Sequence, residues 1–276
     1  MRAVHFVGPD GEARLGAVSN GAIRDAGPAG PRGFVPTEEA WAAIAAASGP
    51  EYALDDVRVL APVMPAKILA IGLNYRSHAD ESELDVPDVP VVFAKWASAL
   101  VGHGDDIVIP REETRPDFEG ELAVVIGRRT YRADRADARD AIGGITAIND
   151  VSGRRAQLET PLRQFTLGKS FDTFAPLGPC IASLDGIDLA DVGVRTIVSG
   201  ESMQDASTRD LIFPVEDLVA YLSAGVTLEP GDVIATGTPG GVGDSRQPPR
   251  YLRDGDVVEV SVDGVGTLRN GVRLES

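Results

Sequence analysis

Two glutamates and an aspartate have the types and spacing to hold a divalent cation. Glu119 and Glu121 open the run Glu119-Gly-Glu-Leu-Ala-Val-Val-Ile126, and Asn149-Asp150 follows about 30 residues on. The apolar run predicts a strand, in which residues two apart point to the same face, so both glutamates aim at one place. Oxygen ligands suit Mg²⁺, with Mn²⁺ or Ca²⁺ as alternatives. Two glutamates with this spacing more often lie on the solvent-exposed face of a half-buried strand. The residues after Asp150 therefore decide whether a metal site is a reasonable prediction.

Arg154 and Gln157 lie three residues apart downstream of Asp150. A helical turn through this stretch would stack all three side chains on one face. Such a face offers an acid for the metal, a cation for an anionic substrate and an amide for a carbonyl. Lys169 follows, and it is one of only three lysines in a chain with 26 basic residues. Beside three carboxylates its ammonium would stay protonated and could bind a developing oxyanion.

His78 and Glu81 could form an acid–base pair upstream of these residues. On one helical turn the Glu81 carboxylate can hold the imidazole in the tautomer that a general base needs. A single histidine is more often a surface or packing residue, so the pair alone is weak evidence. The stretch 74–90 is charged, contains Pro87 and Pro90, and lacks an apolar face. It therefore predicts a mobile lid rather than a core element.

The elements that must position these residues are mostly strands. Runs at 192–198, 233–235 and 257–262 predict strands between Gly and Pro turns, whereas 133–142 and 215–224 predict helices that end before glycines. The regular alternation of a doubly wound sheet is missing, so we expect a strand-rich α+β fold.

The first 56 residues have their own pattern. Residues 3–7 and 13–18 predict a hairpin, a second turn follows at Ser19-Asn-Gly21, and Thr37 is placed to cap a short alanine-rich helix. We therefore expect a small N-terminal α+β domain at 1–60, a linker near 61–65, and a metal-dependent catalytic domain at 61–276.

Composition limits the partners and the compartment. A formal net charge of −16 argues against nucleic acid or an anionic membrane as partner. The single cysteine, Cys180, cannot form an intrachain disulfide, and neither a secretion signal nor a span of 18 apolar residues is present. We therefore expect a cytoplasmic enzyme that acts on a small molecule.

Motifs for other functions can be excluded, because their residue spacing does not match this sequence. Leu167-Gly-Lys-Ser170 imitates the end of a phosphate-binding loop, but the first glycine of that motif would fall at Arg163. The glycine-rich run 237–243 lacks the spacing of a dinucleotide fingerprint. No GxSxG, HExxH or paired CxxC occurs, which excludes the common serine hydrolase, zinc protease and structural zinc motifs.

Over about residues 57–275 the chain resembles the fumarylacetoacetate hydrolase superfamily. The motifs that carry the resemblance are Lys67-Ile-Leu-Ala-Ile-Gly-Leu-Asn-Tyr75 with His78 and Glu81, Val92-Phe-Ala-Lys95, Asp117-Phe-Glu-Gly-Glu121, Asn149-Asp-Val-Ser-Gly-Arg154 with Gln157, Gly168-Lys-Ser-Phe-Asp172, and the glycine-rich run 231–243. Six motifs in the family's order are specific in combination.

The resemblance implies a mixed β-sandwich roll of the family's C-terminal domain type, behind a small N-terminal domain, and a homodimer. It also implies roles for ten side chains. These are Glu119, Glu121 and Asp150 as metal ligands, Arg154, Gln157, Thr238 and Lys95 as substrate contacts, Lys169 as a substrate contact that is also catalytic, and His78 with Glu81 as the acid–base pair of the lid.

Three positions depart from the family pattern. Ser199-Gly200 replaces the usual Asn-Gly of a tight turn, and because the glycine is kept the turn should survive. Leu211 stands where Met is frequent. His103 replaces a residue that is often Pro, which places a second histidine near the lid, and we expect a solvated loop residue there rather than a catalytic one.

The chemistry that we expect is Mg²⁺-dependent hydrolysis of a C–C bond in a 2,4-dioxo acid of the acylpyruvate or fumarylpyruvate type. His78 would activate water, and pyruvate and a carboxylic acid would leave. Decarboxylation of oxaloacetate and isomerisation of unsaturated 2-oxo diacids would use the same site, so the sequence separates them poorly. A non-catalytic, metal-dependent binding protein is the remote alternative.

Overall fold

Strands dominate the molecule. The computed structural model describes residues 1–276, apart from the side chain of residue 55. The strands are β1 (Arg2–Val7), β2 (Ala13–Ser19), β3 (Ala22–Pro28), β4 (Glu51–Ala53), β5 (Arg58–Val59), β6 (Ile68–Gly72), β7 (Val91–Lys95), β8 (Leu100–Val101), β9 (Ile107–Ile109), β10 (Pro116–Asp117), β11 (Gly120–Ile126), β12 (Ile142–Asn149), β13 (Ser152–Gly153), β14 (Ala175–Ala182), β15 (Gly193–Val198), β16 (Glu201–Ser207), β17 (Val233–Ala235), β18 (Val257–Val262) and β19 (Gly266–Leu274). The helices are α1 (Glu38–Ala45), α2 (Arg76–Glu81), α3 (Arg135–Ala141), α4 (Arg154–Leu158), α5 (Phe165–Gly168) and α6 (Val215–Ser223).

Two sheets pack face to face. The larger has the order β4-β3-β2-β1-β14-β12-β11-β17-β6-β7, with β5 beside β1 and β8 beside β14. The smaller has the order β16-β15-β18-β19-β9, and it packs across β11, β12 and β14. The strands β10 and β13 form a separate pair. This architecture confirms the strand-rich α+β sandwich that the sequence predicts.

The central strands are buried on both faces. Every residue of β11 and of β14 is buried, because the smaller sheet covers one side of the large sheet and other elements cover the other. This explains why β11 reads as an almost continuous apolar run rather than an alternating one. It also carries Glu121 into the core, where a charged group needs partners.

The N-terminal strands extend the large sheet. The predicted hairpin is present as β1 and β2, which pair from Ala3↔Ala17 to Val7↔Ala13. The Thr37 hydroxyl accepts the backbone N–H of Ala40 at 3.2 Å and caps α1, as predicted. Because β1 also pairs with β14, the first strands are continuous with the strands behind the site. The division at residue 60 stays a prediction.

The remaining elements agree with the sequence patterns to within a few residues. The helices α3 and α6 lie inside the predicted ranges, and β17 and β18 have the predicted bounds. The two helices pack against each other, and α6 buries Leu218, Val219 and Leu222. In the part of the chain that the structure describes, no helix is long and apolar enough to span a membrane.

Candidate active site

The pairing of β11 with β12 brings the three candidate metal ligands together. Gly120 lies opposite Asn149 in the ladder. The Asn149 side-chain oxygen accepts the N–H of Glu119 at 3.0 Å, and the Asp150 N–H donates to the Glu119 carbonyl at 2.8 Å. Asp150 therefore follows the end of β12 beside Glu119 and Glu121, which flank Gly120.

These three carboxylates form a compact buried group. One oxygen from each of Glu119, Glu121 and Asp150 lies within 4.8 Å of the others, and all three residues are buried. Glycine is required between the glutamates, because a β-carbon at Gly120 would lie 2.0 Å from the Thr196 hydroxyl oxygen. The sequence predicts this set, and its geometry suits a small cation with oxygen ligands.

The charges around the group also fit a divalent cation. Four buried carboxylates, those of Asp117, Glu119, Glu121 and Asp150, lie among three buried cations, those of Lys95, Arg154 and Lys169. One negative charge thus lacks a counterpart in the cluster. The Glu121 carboxylate accepts the N–H of Gly237 at 2.8 Å. Among the described side chains, no lysine or arginine pairs with it.

The two glutamates differ in their electrostatic surroundings. Burial raises the pKa of Glu121 well above its usual value, and the charges of Asp150 and Glu119 raise it further. Burial also acts on Glu119, but Lys169 and Arg154 outweigh it and lower the pKa of Glu119 to about 2. Glu119 is therefore held as an anion by the protein, whereas Glu121 needs a positive charge from elsewhere to be one.

The Lys169 ammonium bridges two of the three carboxylates. Its ammonium donates to the carboxylates of Glu119 and Asp150 and to the Ser152 hydroxyl, each at 2.8 Å, and lies 5.1 Å from the centre of the Phe93 ring. Burial lowers the pKa of Lys169, but Asp150 and Glu119 outweigh it, so the pKa is raised and the ammonium keeps its charge. Its three donors are all in use, so a substrate oxygen must displace one of these bonds.

Lys95 lies behind Asp150. Its ammonium donates to Asp150 Oδ1 at 2.6 Å and also bonds the backbone carbonyls of Val151, at 3.3 Å, and Lys169. Burial lowers the pKa of Lys95. In this position Lys95 fixes Oδ1 of Asp150, one of the candidate metal ligands. Its role as a substrate contact stays a prediction.

The expectation that Asp150, Arg154 and Gln157 share one helical turn is wrong. The strand β13 intervenes after Asp150, because Ser152 pairs with Asp117 in the β10–β13 ladder, and α4 begins only at Arg154. Arg154 and Gln157 do share α4, and the Arg154 guanidinium donates to the Gln157 amide oxygen at 3.1 Å. The same guanidinium donates to Glu119 Oε1 at 2.6 Å.

Two acidic residues that the sequence analysis did not single out fix Arg154. Asp117 Oδ2 accepts the guanidinium at 2.9 and 2.8 Å, and Asp117 also accepts the N–H groups of Gly243 and Asp244. Glu113 accepts the N–H groups of residues 155 and 156, both at 3.1 Å, at the start of α4. Asp117 is the first residue of the motif that contains both glutamates, so its position in the sequence could have identified it as a site residue. Glu113 has no comparable signal in the sequence.

His78 and Glu81 pair as predicted on α2. His78 Nδ1 lies 2.8 Å from Glu81 Oε1, and Glu81 Oε2 accepts the N–H of Gly241 at 2.7 Å. With Nδ1 donating to the carboxylate, Nε2 keeps a lone pair for a proton. The start of this segment is anchored, since the buried Asn74 amide donates to the Thr236 carbonyl at 2.7 Å. Mobility of the rest of 74–90 stays a prediction.

One cavity unites these groups. It has a volume of about 490 Å³ and is lined by His78, Glu81, Glu119, Arg154, Gln157, Lys169 and Thr238, among others. The Thr238 hydroxyl donates to the Gly120 carbonyl at 3.0 Å and accepts from the Gln204 amide at 2.7 Å. His103 lies elsewhere, where its Nδ1 accepts the N–H of Arg269 at 3.1 Å. The roles of Thr238 and the other substrate contacts stay predictions.

Known proteins are similar to this chain in fold and sequence. A family model described as fumarylacetoacetate (FAA) hydrolase C-terminal matches residues 67–273. Oxaloacetate tautomerase YisK from Bacillus subtilis (strain 168) is 44% identical over 227 residues, which cover 80% of this chain and 75% of that protein. A 5-carboxymethyl-2-hydroxymuconate delta-isomerase structure from Mycobacterium smegmatis has a TM-score of 0.82 at 36% identity, and a fumarylacetoacetate hydrolase structure from Exiguobacterium antarcticum has 0.85 at 37%, each covering both chains completely.

Proposed function

Since this chain belongs to the fumarylacetoacetate hydrolase family, we propose that it catalyses a metal-assisted proton transfer on a 2-oxo dicarboxylic acid. The reaction is of the keto–enol type, and of the alternatives that the sequence leaves open it is most similar to the isomerisation of unsaturated 2-oxo diacids, which also moves a proton. The observation that carries it is that one cavity places the oriented His78–Glu81 pair together with Arg154 and Lys169, beside three buried carboxylates that could hold a divalent cation. The names of relatives among the tautomerases and isomerases support this choice over hydrolysis.

The floor of the cavity binds the 2-oxo acid end of the substrate. Arg154 and Lys169 supply positive charge there, and Gln157 supplies an amide. Asp117 holds the Arg154 guanidinium through two hydrogen bonds, so its orientation is set before the substrate arrives. Preorganised donors of this kind stabilise developing charge without the cost of reorganisation. A divalent cation held by Glu119, Glu121 and Asp150 would add positive charge beside the C2 oxygen of the substrate.

His78 moves the proton. Its Nε2 lone pair accepts the proton from C3, the C3–H electron pair forms the C2=C3 bond, and the carbonyl π electrons move to the C2 oxygen. Glu81 stabilises the imidazolium that results, and the N–H of Gly241 holds Glu81 in place. Return of the proton to the C2 oxygen gives the enol, and the reverse sequence gives the keto form. No water attack is needed.

Hydrolysis of an acylpyruvate is the second candidate. The same His78–Glu81 pair could take a proton from water, so that hydroxide attacks the C4 carbonyl. The likeness to the Exiguobacterium antarcticum structure described as a fumarylacetoacetate hydrolase favours this candidate. Decarboxylation of oxaloacetate would also use the floor, but it requires no base.

The test is to supply the protein and Mg²⁺ with oxaloacetate, an acylpyruvate and an unsaturated 2-oxo diacid, while recording enol absorbance and pyruvate release. We expect faster keto–enol exchange without stoichiometric pyruvate. His78→Ala should slow the exchange by roughly 10²–10⁴-fold while Mg²⁺ affinity is kept. His103→Ala is the matched control, because His103 does not line this cavity. Pyruvate release from the acylpyruvate, without faster exchange, would establish hydrolysis instead.

A further inference from the structure

Arg163 is a cation of the cavity that the proposed mechanism does not use. It lines the same cavity of about 490 Å³ as Arg154 and Lys169. Arg154 and Lys169 are buried, whereas Arg163 is exposed. This difference in exposure places Arg163 at the mouth of the cavity and the other two cations at its floor.

The guanidinium of Arg163 has no hydrogen-bond or ion-pair partner among the side chains that the structure describes. Arg154, in the same cavity, is bonded to Asp117 and Glu119. Asp244 also lines the cavity, but its Oδ1 accepts from Arg115 at 2.7 Å and from the Tyr251 hydroxyl at 2.6 Å, and it forms no ion pair with Arg163 in the described structure. The donors of Arg163 are therefore available to a carboxylate that enters from solvent, which arginine binds through two parallel hydrogen bonds.

The backbone holds Arg163 in a conformation that residues other than glycine adopt rarely. Its φ is 39°, in the left-handed region where glycine is the easier residue. The turn is closed by the N–H of Arg163 to the Thr160 carbonyl at 3.1 Å, and the N–H of Gln164 bonds the Gln157 carbonyl at 2.8 Å. Arg163 is thus attached, through its neighbour, to the helix that carries the floor residues Arg154 and Gln157.

The cavity between floor and mouth has apolar walls. The wall side chains are Leu84, Val91, Phe93, Phe165 and Val242. Its volume of about 490 Å³ falls in the range of roughly 300–1,000 Å³ that is typical of pockets for drug-sized ligands. It therefore has room for more than a four-carbon acid, and apolar walls suit a hydrocarbon chain.

We propose that Arg163 is a specificity-determining residue that binds the distal carboxylate of the substrate. The 2-oxo acid end lies on the floor, the hydrocarbon chain crosses the apolar walls, and the second carboxylate meets Arg163 at the mouth. The preferred substrate is therefore a 2-oxo dicarboxylic acid several carbons longer than oxaloacetate. This inference rests on the proposed function for the orientation of the 2-oxo end.

Binding measurements on the Mg²⁺-loaded protein can test this assignment. 2-Oxoadipate and 2-oxohexanoate share the 2-oxo end and the chain length and differ in the distal carboxylate, and oxalate lacks the chain. Arg163→Gln should weaken 2-oxoadipate binding by about tenfold, the value of one charged hydrogen-bonding contact. The same variant should change the other two affinities by less than about twofold. Arg163→Lys should retain part of the preference.

Arg132→Gln is the matched control. Arg132 is exposed, has a φ of 55°, and lies outside this cavity. An Arg163→Gln protein with unchanged 2-oxoadipate affinity would overturn the assignment, and so would an equal loss for all three ligands, since that indicates a general disturbance of the cavity. The same measurements distinguish a failure of the proposed function from a failure of the Arg163 assignment. If proton transfer is absent but the 2-oxoadipate preference depends on Arg163, the proposed reaction fails and the assignment of Arg163 stands.

Discussion

At the floor of the cavity, Glu121 differs from the other two carboxylates in its neighbours. Lys95 and Lys169 each form an ion pair with one oxygen of Asp150. Lys169 and Arg154 together neutralise the charge of Glu119. Glu121 receives one backbone N–H, from Gly237. In the described structure it is thus the carboxylate whose charge depends most on a bound cation. The substitutions of these residues should therefore have different consequences for stability.

Glu121→Gln should separate metal binding from folding. We expect Mg²⁺ affinity to fall by more than about tenfold, because a ligand charge is lost. The thermal stability of the metal-free protein should be kept, because burial raises the pKa of Glu121 and an uncharged amide of similar size replaces a carboxyl that is neutral without a cation. Calorimetry with Mg²⁺ and thermal unfolding without it are the measurements.

Asp150→Asn provides the contrast. It leaves Lys95 and Lys169 short of a buried anion, so it should lower the free energy of unfolding by about 3–5 kcal/mol as well as weakening Mg²⁺ binding. Glu201→Gln, in an exposed position on β16, is the neutral control. Equal destabilisation of the metal-free protein by Glu121→Gln and Asp150→Asn would contradict this division.

The sequence identifies much of the site at the level of single residues, because residue type and motif order are local signals. Glu119, Glu121 and Asp150 are found this way, and so is the pair of His78 and Glu81. The sequence does not show which polar group faces which. That all three donors of Lys169 are occupied follows only from the fold, which brings the end of α5 to Glu119 before β11, Asp150 after β12 and Ser152 in β13.

At the level of secondary structure, β11 and the residue before it must carry two acids, Glu121 and Glu119, into a fully buried sheet. They do so because Gly120 lets the smaller sheet approach, with Thr196 of β15 directly above the glycine. Strand positions were predictable from apolar runs and turn residues. The start of α4 was not, because it depends on the pairing of Ser152 with Asp117 and on the distant Glu113.

Gly120→Ala should disturb the sandwich at the metal site. The new methyl group would lie 2.0 Å from the Thr196 hydroxyl oxygen, so overpacking should lower the free energy of unfolding by about 1–3 kcal/mol and weaken Mg²⁺ binding. Gly30→Ala is the control, because a β-carbon there has nothing within 4 Å. Urea unfolding and calorimetry are the measurements.

A second variant makes the cause explicit. Thr196→Ala removes the hydroxyl that the new methyl group would meet, so the double variant should recover part of the stability lost in Gly120→Ala. If the double variant loses the sum of the two single effects, the contact between Gly120 and Thr196 is not the cause.

For the whole molecule, we propose a homodimer. The edge strand β7 exposes Val91 and Val92, and Trp96 follows it with half of its surface exposed. Apolar side chains on an open edge favour association with another surface. The net charge of −16 opposes loose, nonspecific association, so a closed two-fold pair is the expected form.

Sedimentation should therefore return twice the chain mass of 29.0 kDa. Val92→Lys places a charge on the edge strand and should shift the protein towards the single chain without loss of fold. Val226→Lys, at a similarly exposed valine in the loop after α6, should leave the mass unchanged. The mass of one chain for the unaltered protein at micromolar concentration would refute the proposal.

A single loop contacts both a candidate metal ligand and the partner of the proposed base. Gly237 donates its N–H to Glu121, and Gly241 donates its N–H to Glu81, the partner of the base. Both glycines have positive φ, 102° and 103°, and side chains there would strike Asn74 and the Met203 carbonyl. A change in this loop should therefore alter the candidate metal ligand and the proposed base together. A substitution at the rim of the cavity, such as one at Arg163, would instead affect one contact at a time.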